Sequence, residues 1–277
     1  MTQLQLITDE ETLRRYLVNS VRPVDGERPM LDRLTPHVLE AEDYLQRTVT
    51  GRDFELLPPE GPAYDAACDF AAMRALASAC RALDVVMTPN GFGVVSTPTI
   101  APASRERVDS FRRECVTAAN RALSRLLRLL SSVKVWVGSE QFRYFRRSTF
   151  PGMLLCENAA DDDEDWTEVY PRLVEKVRLA EDELAVRYIS APLMSRLRRE
   201  YDDKPLTEPE RHVAGAVRGQ ALAHIKGAAF NPEFLSDIVE YIRRRPADFP
   251  QWAGSETARL WVPPVFCNDM KSGGYFF

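Results

Sequence analysis

One sequence pattern occurs twice in this chain, and it constrains the fold more than any other feature. The pattern is R-L-x3-V-x2-A-E-D-x-L, and its second occurrence lies 139 residues after the first. Its apolar positions have the three- and four-residue spacing of a helix face. The matching pairs are Arg33 and Arg172, Leu34 and Leu173, Val38 and Val177, Ala41 and Ala180, Glu42 and Glu181, Asp43 and Asp182, and Leu45 and Leu184. A loop with proline and two long helices follow in both halves, which favours duplication of one helical module over coincidence.

The beginning of the chain carries signals for two helices. Thr8–Glu11 has the form of a capping box, which predicts a short first helix. A second helix is predicted over Leu31–Val49, where apolar residues fall on one face, and Gly51 supplies its stop. Pro36 lies inside this pattern, so we expect either a kink or two consecutive helices with Thr35 as the cap between them.

Two longer helices are predicted to pack against each other. The segment from Pro62 to about Met87 has alanine at every fourth position, and small residues on one face let helices approach closely. The next helix runs from a Ser104 cap to about Ser131. Its predicted buried stripe is Val108, Phe111, Cys115, Ala119, Ala122, Leu126 and Leu130.

The segment between these two helices cannot be helical. Thr88–Pro102 contains three prolines and an Asn-Gly turn signal. Loops of this length are usually functional or disordered, and the apolar content argues against simple disorder. The apolar residues are Phe92, Val94, Val95 and Ile100. We therefore predict that residues 88–103 project from the first module as an extended loop or hairpin.

Two short segments after residue 131 break the helical pattern. Val133–Val137 alternates in a way that predicts a short strand. Phe142–Arg147 mixes aromatic and basic residues, which are the ingredients of single-stranded nucleic-acid binding. The alternative interpretation is an amphipathic strand or interface segment, and the acidic net charge of the chain favours it.

An acidic run divides the chain near residue 160. Residues 158–165 include Asp161–Asp165 and are predicted to link an N-terminal module, residues 1–157, to a C-terminal module, residues 166–277. Helices are expected in the second module from about Trp166 to Tyr188, from Leu193 to Tyr201, from a Thr207 capping box to about Lys226, and from Asn231 to Arg245. An extended tail rich in proline and aromatic residues follows. The predicted fold is therefore mainly α, with two tandem related helical-bundle modules.

No motif for catalysis, a metal or a cofactor emerges from the sequence, so we expect a protein that is not an enzyme. The five cysteines lie far apart without a CxxC pair, and no histidine has a partner at metal-ligand spacing. Glu42-Asp43 and Glu181-Asp182 are adjacent on helices and point about 100° apart, which predicts solvated helix faces. Gly91-Phe92-Gly93 lacks the lysine and the strand-to-helix setting of a phosphate loop.

Charge and hydropathy restrict the surroundings of the protein. A net charge of -5 and a pI near 5.5 argue against broad nucleic-acid binding, which requires a basic surface. The N-terminal residues do not have the pattern of a signal peptide, and apolar runs are too short to span a bilayer. We expect a cytosolic protein with reduced thiols.

Three segments resemble the head-to-tail connector (adaptor) proteins of tailed bacteriophages, and in particular a family from Bacteroidetes phages and prophages. The segments are I-T-D-E-E-T-L-R-R-Y-L at Ile7–Leu17, A-E-D-Y-L at Ala41–Leu45 leading to T-V-T-G at Thr48–Gly51, and T-P-N-G-F-G-V-V-S at Thr88–Ser96 with A-P-A-S-R-E-R-V at Ala101–Val108. The resemblance covers mainly the first half of the chain. Known connectors are usually shorter and have one module, so the doubled chain departs from the pattern in a way that affects the ring stoichiometry.

The resemblance implies a virion structural protein that forms a homo-oligomeric ring, dodecameric in the connectors, between the portal protein and a tail-side neck protein. It implies assembly in the host cytoplasm, a final position in the virion neck, and DNA passing near the lumen. No cofactor and no membrane contact are expected. The alternative is a helical regulatory or host-interaction protein that binds a single partner. The candidate interface residues are Asn90, Gly91, Phe92, Val94, Val95, Ile100, Phe142, Arg143, Tyr144, Arg146, Tyr275, Phe276 and Phe277.

Overall fold

The computed structural model of the protein describes residues 5–17, 28–51, 57–83, 85–88, 91–94, 103–198 and 205–262. Most of these residues lie in helices, so the predicted mainly α fold is confirmed. The strands within these ranges form a single antiparallel pair.

The first part of the chain contains one long helical pair with shorter helices around it. Its elements are α1 (Glu10–Tyr16), α2 (Met30–Tyr44), a first π-helical turn (Leu45–Thr50), α3 (Pro62–Leu83), β1 (Val85–Thr88), β2 (Gly91–Val94), α4 (Arg105–Leu130), α5 (Lys134–Val137), α6 (Glu140–Tyr144) and α7 (Leu154–Ala159).

The second part begins with a helix that leads out of the first. Its elements are α8 (Trp166–Leu184), a second π-helical turn (Ala185–Ile189), α9 (Ala191–Leu197), α10 (Glu208–Ile225), α11 (Pro232–Arg243), α12 (Pro250–Ala253) and α13 (Glu256–Leu260).

Side-chain caps set the beginnings of several helices. The Ser104 hydroxyl caps α4, and the predicted Thr207 capping box of α10 is present, with the Glu210 carboxylate accepting from the Thr207 N–H at 2.8 Å. The capping box predicted at Thr8–Glu11 is wrong. Asp9 is the cap of α1, because its carboxylate accepts a hydrogen bond from the backbone N–H of Thr12 at 2.8 Å.

Helix α2 passes through Pro36 without interruption, so the predicted pair of consecutive helices is wrong. The Thr35 hydroxyl does not cap a new helix, because it donates to the Leu31 carbonyl at 2.8 Å. Leu34 and Val38 lie on either side of the proline and are fully buried. This packing holds the helix across the hydrogen bond that proline removes.

Among the described elements, α3 and α4 make the most extensive contact with each other. Ala67, Ala71 and Ala75 of α3 are fully buried, as the four-residue alanine spacing predicted. Because these side chains are small, α4 can lie close to α3 and bury its own stripe. The buried residues of that stripe are Cys115, Ala119, Ala122, Leu123, Leu126 and Leu130. Strands β1 and β2 connect the two helices at one end.

The short strand predicted near residues 133–137 is wrong, because Lys134–Val137 is a single helical turn. Trp136 explains the difference. Its ring is 1% exposed, and its indole N–H donates to the Val49 carbonyl at 2.6 Å, at the end of the first π-helical turn. This tertiary anchor outweighs the strand propensity of the flanking valines, and Val135 is left exposed.

The repeated glutamates are buried, which contradicts the predicted solvated helix faces. Glu42 is 3% exposed, and its carboxylate accepts hydrogen bonds from the backbone N–H groups of Gln5, Leu6 and Ile7 at 3.0, 2.9 and 3.3 Å. These bonds attach the N-terminal segment to α2. The segment in turn buries Leu6 and Ile7 in the core.

Glu181 occupies the equivalent position in α8 and is fully buried. Its carboxylate accepts from the backbone N–H and the hydroxyl of Thr149 at 2.8 and 2.7 Å, and from the Arg198 guanidinium at 2.7 Å. Arg198 also donates to Asp182 at 2.8 Å, and Asp182 is exposed. In both occurrences of the pattern the glutamate therefore holds a distant segment, while the adjacent aspartate lies at the surface.

Both pattern helices end in the same way. Each passes into a π-helical turn, and each turn is followed by a residue with positive φ, Gly51 at 79° and Ser190 at 73°. These two residues are also separated by 139 positions. Glycine adopts this backbone conformation readily. At Ser190 the surroundings hold it, since the serine is fully buried and its hydroxyl caps α9.

The acidic run is not a free linker, and the boundary between the cores lies further along the chain than predicted. Asn120 of α4 donates to the Glu164 carbonyl at 2.8 Å and accepts from the Trp166 N–H at 3.2 Å. Arg74 of α3 pairs with Asp165 at 3.5 Å. One cluster of buried apolar residues extends from Leu6 to Ala180, with Ala221, and a second extends from Leu184 to Ala258. We call these the first and second units.

The second unit contacts the first unit near the C-terminal end of α4. Besides the Glu181 bonds, Arg218 of α10 donates to the Thr149 carbonyl at 2.6 Å, and Arg146 donates to the Arg198 carbonyl at 3.0 Å. The β-hairpin lies at the other end of α4, where α2 approaches through the Arg33 bond to the Leu83 carbonyl at 3.0 Å. The hairpin and the second unit are therefore at opposite ends of α4.

We predict that Glu181→Ala lowers the free energy of unfolding by about 3–5 kcal/mol, because it removes the acceptor of the two Thr149 donors and leaves the partly buried Arg198 with the exposed Asp182 as its remaining carboxylate partner. The matched control is Glu175→Ala on the same helix, where the carboxylate is 61% exposed and 3.7 Å from Arg147. This change should stay within about 0.5 kcal/mol of the wild type. Urea titration followed by circular dichroism gives both values, and equal effects would contradict the anchoring role of Glu181.

The repeated glutamate also predicts a pH dependence. Burial raises the pKa of Glu42 above its ordinary value of 4.5, against the opposing effect of the backbone N–H donors. A raised folded-state pKa contributes stability that is present below 4.5 and is lost as pH rises through the folded value. The stability of the wild type relative to Glu42→Gln should therefore fall as pH rises from 4.5.

Glu210→Gln is the control for this measurement, because we expect the opposite pH dependence of stability for it. Burial alone would raise the pKa of Glu210, but the Arg196 guanidinium and the Thr207 N–H lower this pKa below its ordinary value. The stability that ionised Glu210 contributes is present above its ordinary pKa of 4.5 and is lost as pH falls through the folded-state pKa. Thermal unfolding from pH 3 to 8 would refute the assignment if both variants followed the same trend relative to the wild type.

Candidate functional site

The described part of the predicted loop is an antiparallel hairpin that begins at Val85, three residues earlier than expected. Its register pairs Val85 with Val94 and Met87 with Phe92. Because alternate residues of a strand face opposite sides, these four positions share one face of the hairpin. The other face has Val86, Thr88, Gly91 and Gly93. The four positions of the first face are all apolar, and those of the second are one valine, one threonine and two glycines.

A two-stranded hairpin has little stability in water unless a hydrophobic face is packed against something else. Gly91, Phe92 and Val94 lie in β2. Asn90, Val95 and Ile100 lie outside the described residues.

Phe142 is a core residue, which corrects its assignment to the interface. It lies in α6, it is 4% exposed, and its ring meets the Trp136 ring edge-on at 5.0 Å between centroids. The Arg146 guanidinium covers it at 4.8 Å from the ring centroid. Neither a partner nor a nucleic-acid base can stack on this ring in the described fold.

Tyr144 also packs within the first unit. Its ring lies 5.0 Å from the Phe145 ring and 5.5 Å from the Tyr170 ring, and its carbonyl accepts from the Tyr170 hydroxyl at 3.2 Å. The aromatic residues of this segment thus face inward and join α6 to α8. The basic residues remain nearer the surface.

Arg143 and Arg146 line a groove of 460 Å³ at the junction of the two units. Its other lining residues are Val137, Gly138, Phe142, Ser195 and Arg198. Arg146 and Arg198 are held by the bonds described above, and Arg143 is exposed. The structure does not bring this groove together with the hairpin, because the two lie at opposite ends of α4. Tyr275, Phe276 and Phe277 lie outside the described residues.

Among the described residues, several exposed apolar side chains were missed by the sequence reasoning. Leu179 and Val186 are 72% and 69% exposed, and Leu260 and Val262 are 73% and 60% exposed. Leu179 and Val186 are seven residues apart and therefore lie on one face of α8 and its π-helical turn. The signal was available, since both fall out of phase with the buried series Val177, Ala180 and Leu184.

Packing contacts involve two of the histidine rings and burial affects two of the thiols that could suggest chemistry. The His224 ring stacks on Phe230 at 4.4 Å, and the His212 ring lies 4.7 Å from Tyr241. Burial raises the pKa of the Cys68 and Cys156 thiols to about 12, which makes them poor nucleophiles. Across the described ranges, no group of three or more His, Cys, Asp or Glu side chains could hold a metal ion.

A charged cleft of 440 Å³ lies between α3, α4 and the start of α8. Both positive and negative side chains line it. The positive ones include Arg74, Arg81, Arg112 and Arg172, and the negative ones are Glu40, Asp163, Glu164, Asp165 and Glu168. Arg74 pairs with Asp165 within this set. The mixture does not favour an anionic or a cationic ligand.

The comparisons with known proteins concern the first unit. Residues 34–146 match a protein family described as a family of unknown function, DUF6712. This range includes most of α2, the α3–α4 pair with its hairpin, and α5 and α6. No curated protein and no solved structure matches the chain. Among the helices that the structure describes, none combines the length and apolar character needed to cross a membrane.

We predict that Phe142→Ala lowers the free energy of unfolding by about 3–5 kcal/mol, because it removes a buried ring from the α6 packing. Arg143→Ala, one residue away and exposed, should change it by less than about 0.5 kcal/mol. Chemical denaturation of both variants makes the comparison. A Phe142→Ala chain that kept wild-type stability would show that this ring is not part of the core.

Proposed function

We propose that the chain is a non-enzymatic head-to-tail connector of a tailed-phage particle, which forms a ring between the portal and the tail. The support is the resemblance carried by Ile7–Leu17, Ala41–Gly51 and Thr88–Val108, together with the mainly helical fold. The DUF6712 match covers two of these three segments, 41–51 and 88–108, and its description names no activity.

The observation that carries the proposal is the β-hairpin at the end of the α3–α4 pair. Its register gives one face of this sheet four apolar positions, Val85, Met87, Phe92 and Val94, and a two-stranded sheet is too small to be stable alone. An extended apolar element of this kind fits contact with a neighbouring protein better than it fits substrate binding. In the proposed ring its partner is the adjacent copy.

The further partners of the proposed ring are the portal on one side and a tail-side neck protein on the other. DNA would pass through the lumen, and a net charge of -5 suits passage better than tight binding. The ring would assemble in the host cytoplasm and remain in the virion neck.

Native mass spectrometry of the purified full-length chain tests this function. The proposal expects a single closed assembly of identical copies, with twelve as the number that the resemblance implies. A chain that stays monomeric at millimolar concentration, and that instead captures one partner in a one-to-one complex, would contradict the ring and favour a regulatory or host-interaction protein.

Deleting Asn90–Thr99 and joining the flanks with a short Gly-Ser linker should abolish assembly and leave the melting temperature nearly unchanged. The reason is that α3 and α4 pack through their own buried stripes. Size-exclusion chromatography with light scattering measures the assembly, and circular dichroism measures the melting. Unfolding of the monomer would place the segment in the core, and persistent rings would exclude it from the interface.

A further inference from the structure

We propose that the groove at the junction of the two units binds a phosphate group. Arg143 of α6, Arg146 just after α6 and Arg198 just after α9 all line this groove. We call it the arginine groove. Its volume of 460 Å³ lies within the range of about 300–1,000 Å³ that is usual for small-molecule sites. The inference does not depend on the proposed ring.

The charged side chains that line the arginine groove are all positive. Its lining residues are Val137, Gly138, Phe142, Arg143, Arg146, Ser195 and Arg198, and none of these described residues is a carboxylate. The charged cleft between α3, α4 and α8 differs, because side chains of both signs line it. Three guanidinium groups around one concave surface favour an anionic ligand.

Arg198 is held in a fixed position by carboxylates outside the lining. Its Nε donates to the buried Glu181 at 2.7 Å, and one of its terminal nitrogens donates to Asp182 at 2.8 Å. These carboxylates balance the charge of Arg198, but a guanidinium carries further N–H donors beyond those used here. Arg198 can therefore offer hydrogen-bond donors to a ligand at a position that the fold sets.

Arg146 is fixed by contacts with both sides of the groove. Its guanidinium lies 4.8 Å from the centroid of the Phe142 ring, and it donates to the Arg198 carbonyl at 3.0 Å. The second contact ties the segment after α6 to the end of α9. Side chains that are held before a ligand arrives lose less conformational entropy when it binds.

Arg143 adds positive charge that the described fold does not neutralise. Its side chain is exposed, and within the described ranges it makes no ion pair with a carboxylate. The nearby Arg147 differs, because it lies 3.7 Å from the Glu175 carboxylate. On the α9 side of the groove, Ser195 is also exposed, and its hydroxyl can donate a further hydrogen bond.

The number of arginines favours a phosphate group over a carboxylate. The oxygens of a carboxylate lie in one plane, and a single guanidinium fork can occupy them. A phosphate group has acceptor oxygens in several directions, so that all three arginines can donate to it. Stacking of a nucleobase is not expected, because Arg146 covers the Phe142 ring. The ligand is therefore recognised by its phosphate, whether it is a small molecule or a nucleic-acid backbone.

Isothermal titration calorimetry of the full-length chain with inorganic pyrophosphate tests the inference. Wild-type protein should bind it at one site, and Arg143→Gln should weaken binding by about tenfold through loss of a charged hydrogen bond. Ser195→Glu, which puts a carboxylate into the groove at an exposed position, should abolish binding. Both variants should keep the wild-type melting temperature without ligand.

The matched control is Arg105→Gln, which removes the same charge at the beginning of α4. This side chain is 92% exposed and is not part of the groove. The control should bind pyrophosphate as the wild type does. No binding to the wild type, or equal weakening in the Arg143 and Arg105 variants, would overturn the inference.

Competition at constant ionic strength identifies the source of the phosphate. A short oligothymidylate that displaces pyrophosphate from the wild type would indicate a nucleic-acid backbone, and one that fails to displace it would indicate a small phosphate ligand. A polyglutamate peptide that displaces pyrophosphate would overturn the choice of phosphate over carboxylate. The proposed ring is measured separately by native mass spectrometry, so failure of this inference leaves it standing.

Discussion

The arrangement of this molecule depends on two buried glutamates at equivalent positions of two related helices. Glu42 fixes the N-terminal segment to α2, and Glu181 fixes Thr149 and Arg198 to α8. A buried carboxylate is tolerated only when its oxygens are satisfied, so each glutamate determines which distant segment must lie beside it. Glu181 holds the loop after α6 and the end of α9 together, and it thereby sets the second unit at the C-terminal end of α4.

The sequence predicted the helices well, because their signals are local. Alanine spacing in α3, the Ser104 cap and the Thr207 capping box depend on a few neighbouring residues, and all three are present in the structure. The Asn-Gly signal likewise predicted a chain reversal, and β1 and β2 pair antiparallel on either side of residues 89–90. The repeated pattern identified two helices, each of which has a buried glutamate and ends in a π-helical turn.

The errors came from interactions between residues far apart in the sequence. Strand propensity at 133–137 was overridden by the bond from Trp136 to Val49, and the glutamates were assigned to solvent because Gln5–Ile7 and Thr149 are distant. Phe142 was assigned to an interface although Trp136 and Arg146 enclose it. The acidic run looked like a linker, yet Asn120 binds it and α8 continues through the boundary. Periodicity identifies a buried face but does not identify its partner.

These interactions leave the hairpin and the second unit at opposite ends of α4, and the proposed assembly depends on which of these surfaces contacts a neighbouring copy. Electron cryomicroscopy of the assembled full-length chain tests it most directly, because it shows which surfaces of adjacent copies touch. We predict a closed ring in which the β-hairpin of each copy contacts the adjacent copy. A particle with twofold symmetry that buries the same surface twice, or a ring in which the hairpins contact no neighbouring copy, would contradict this prediction.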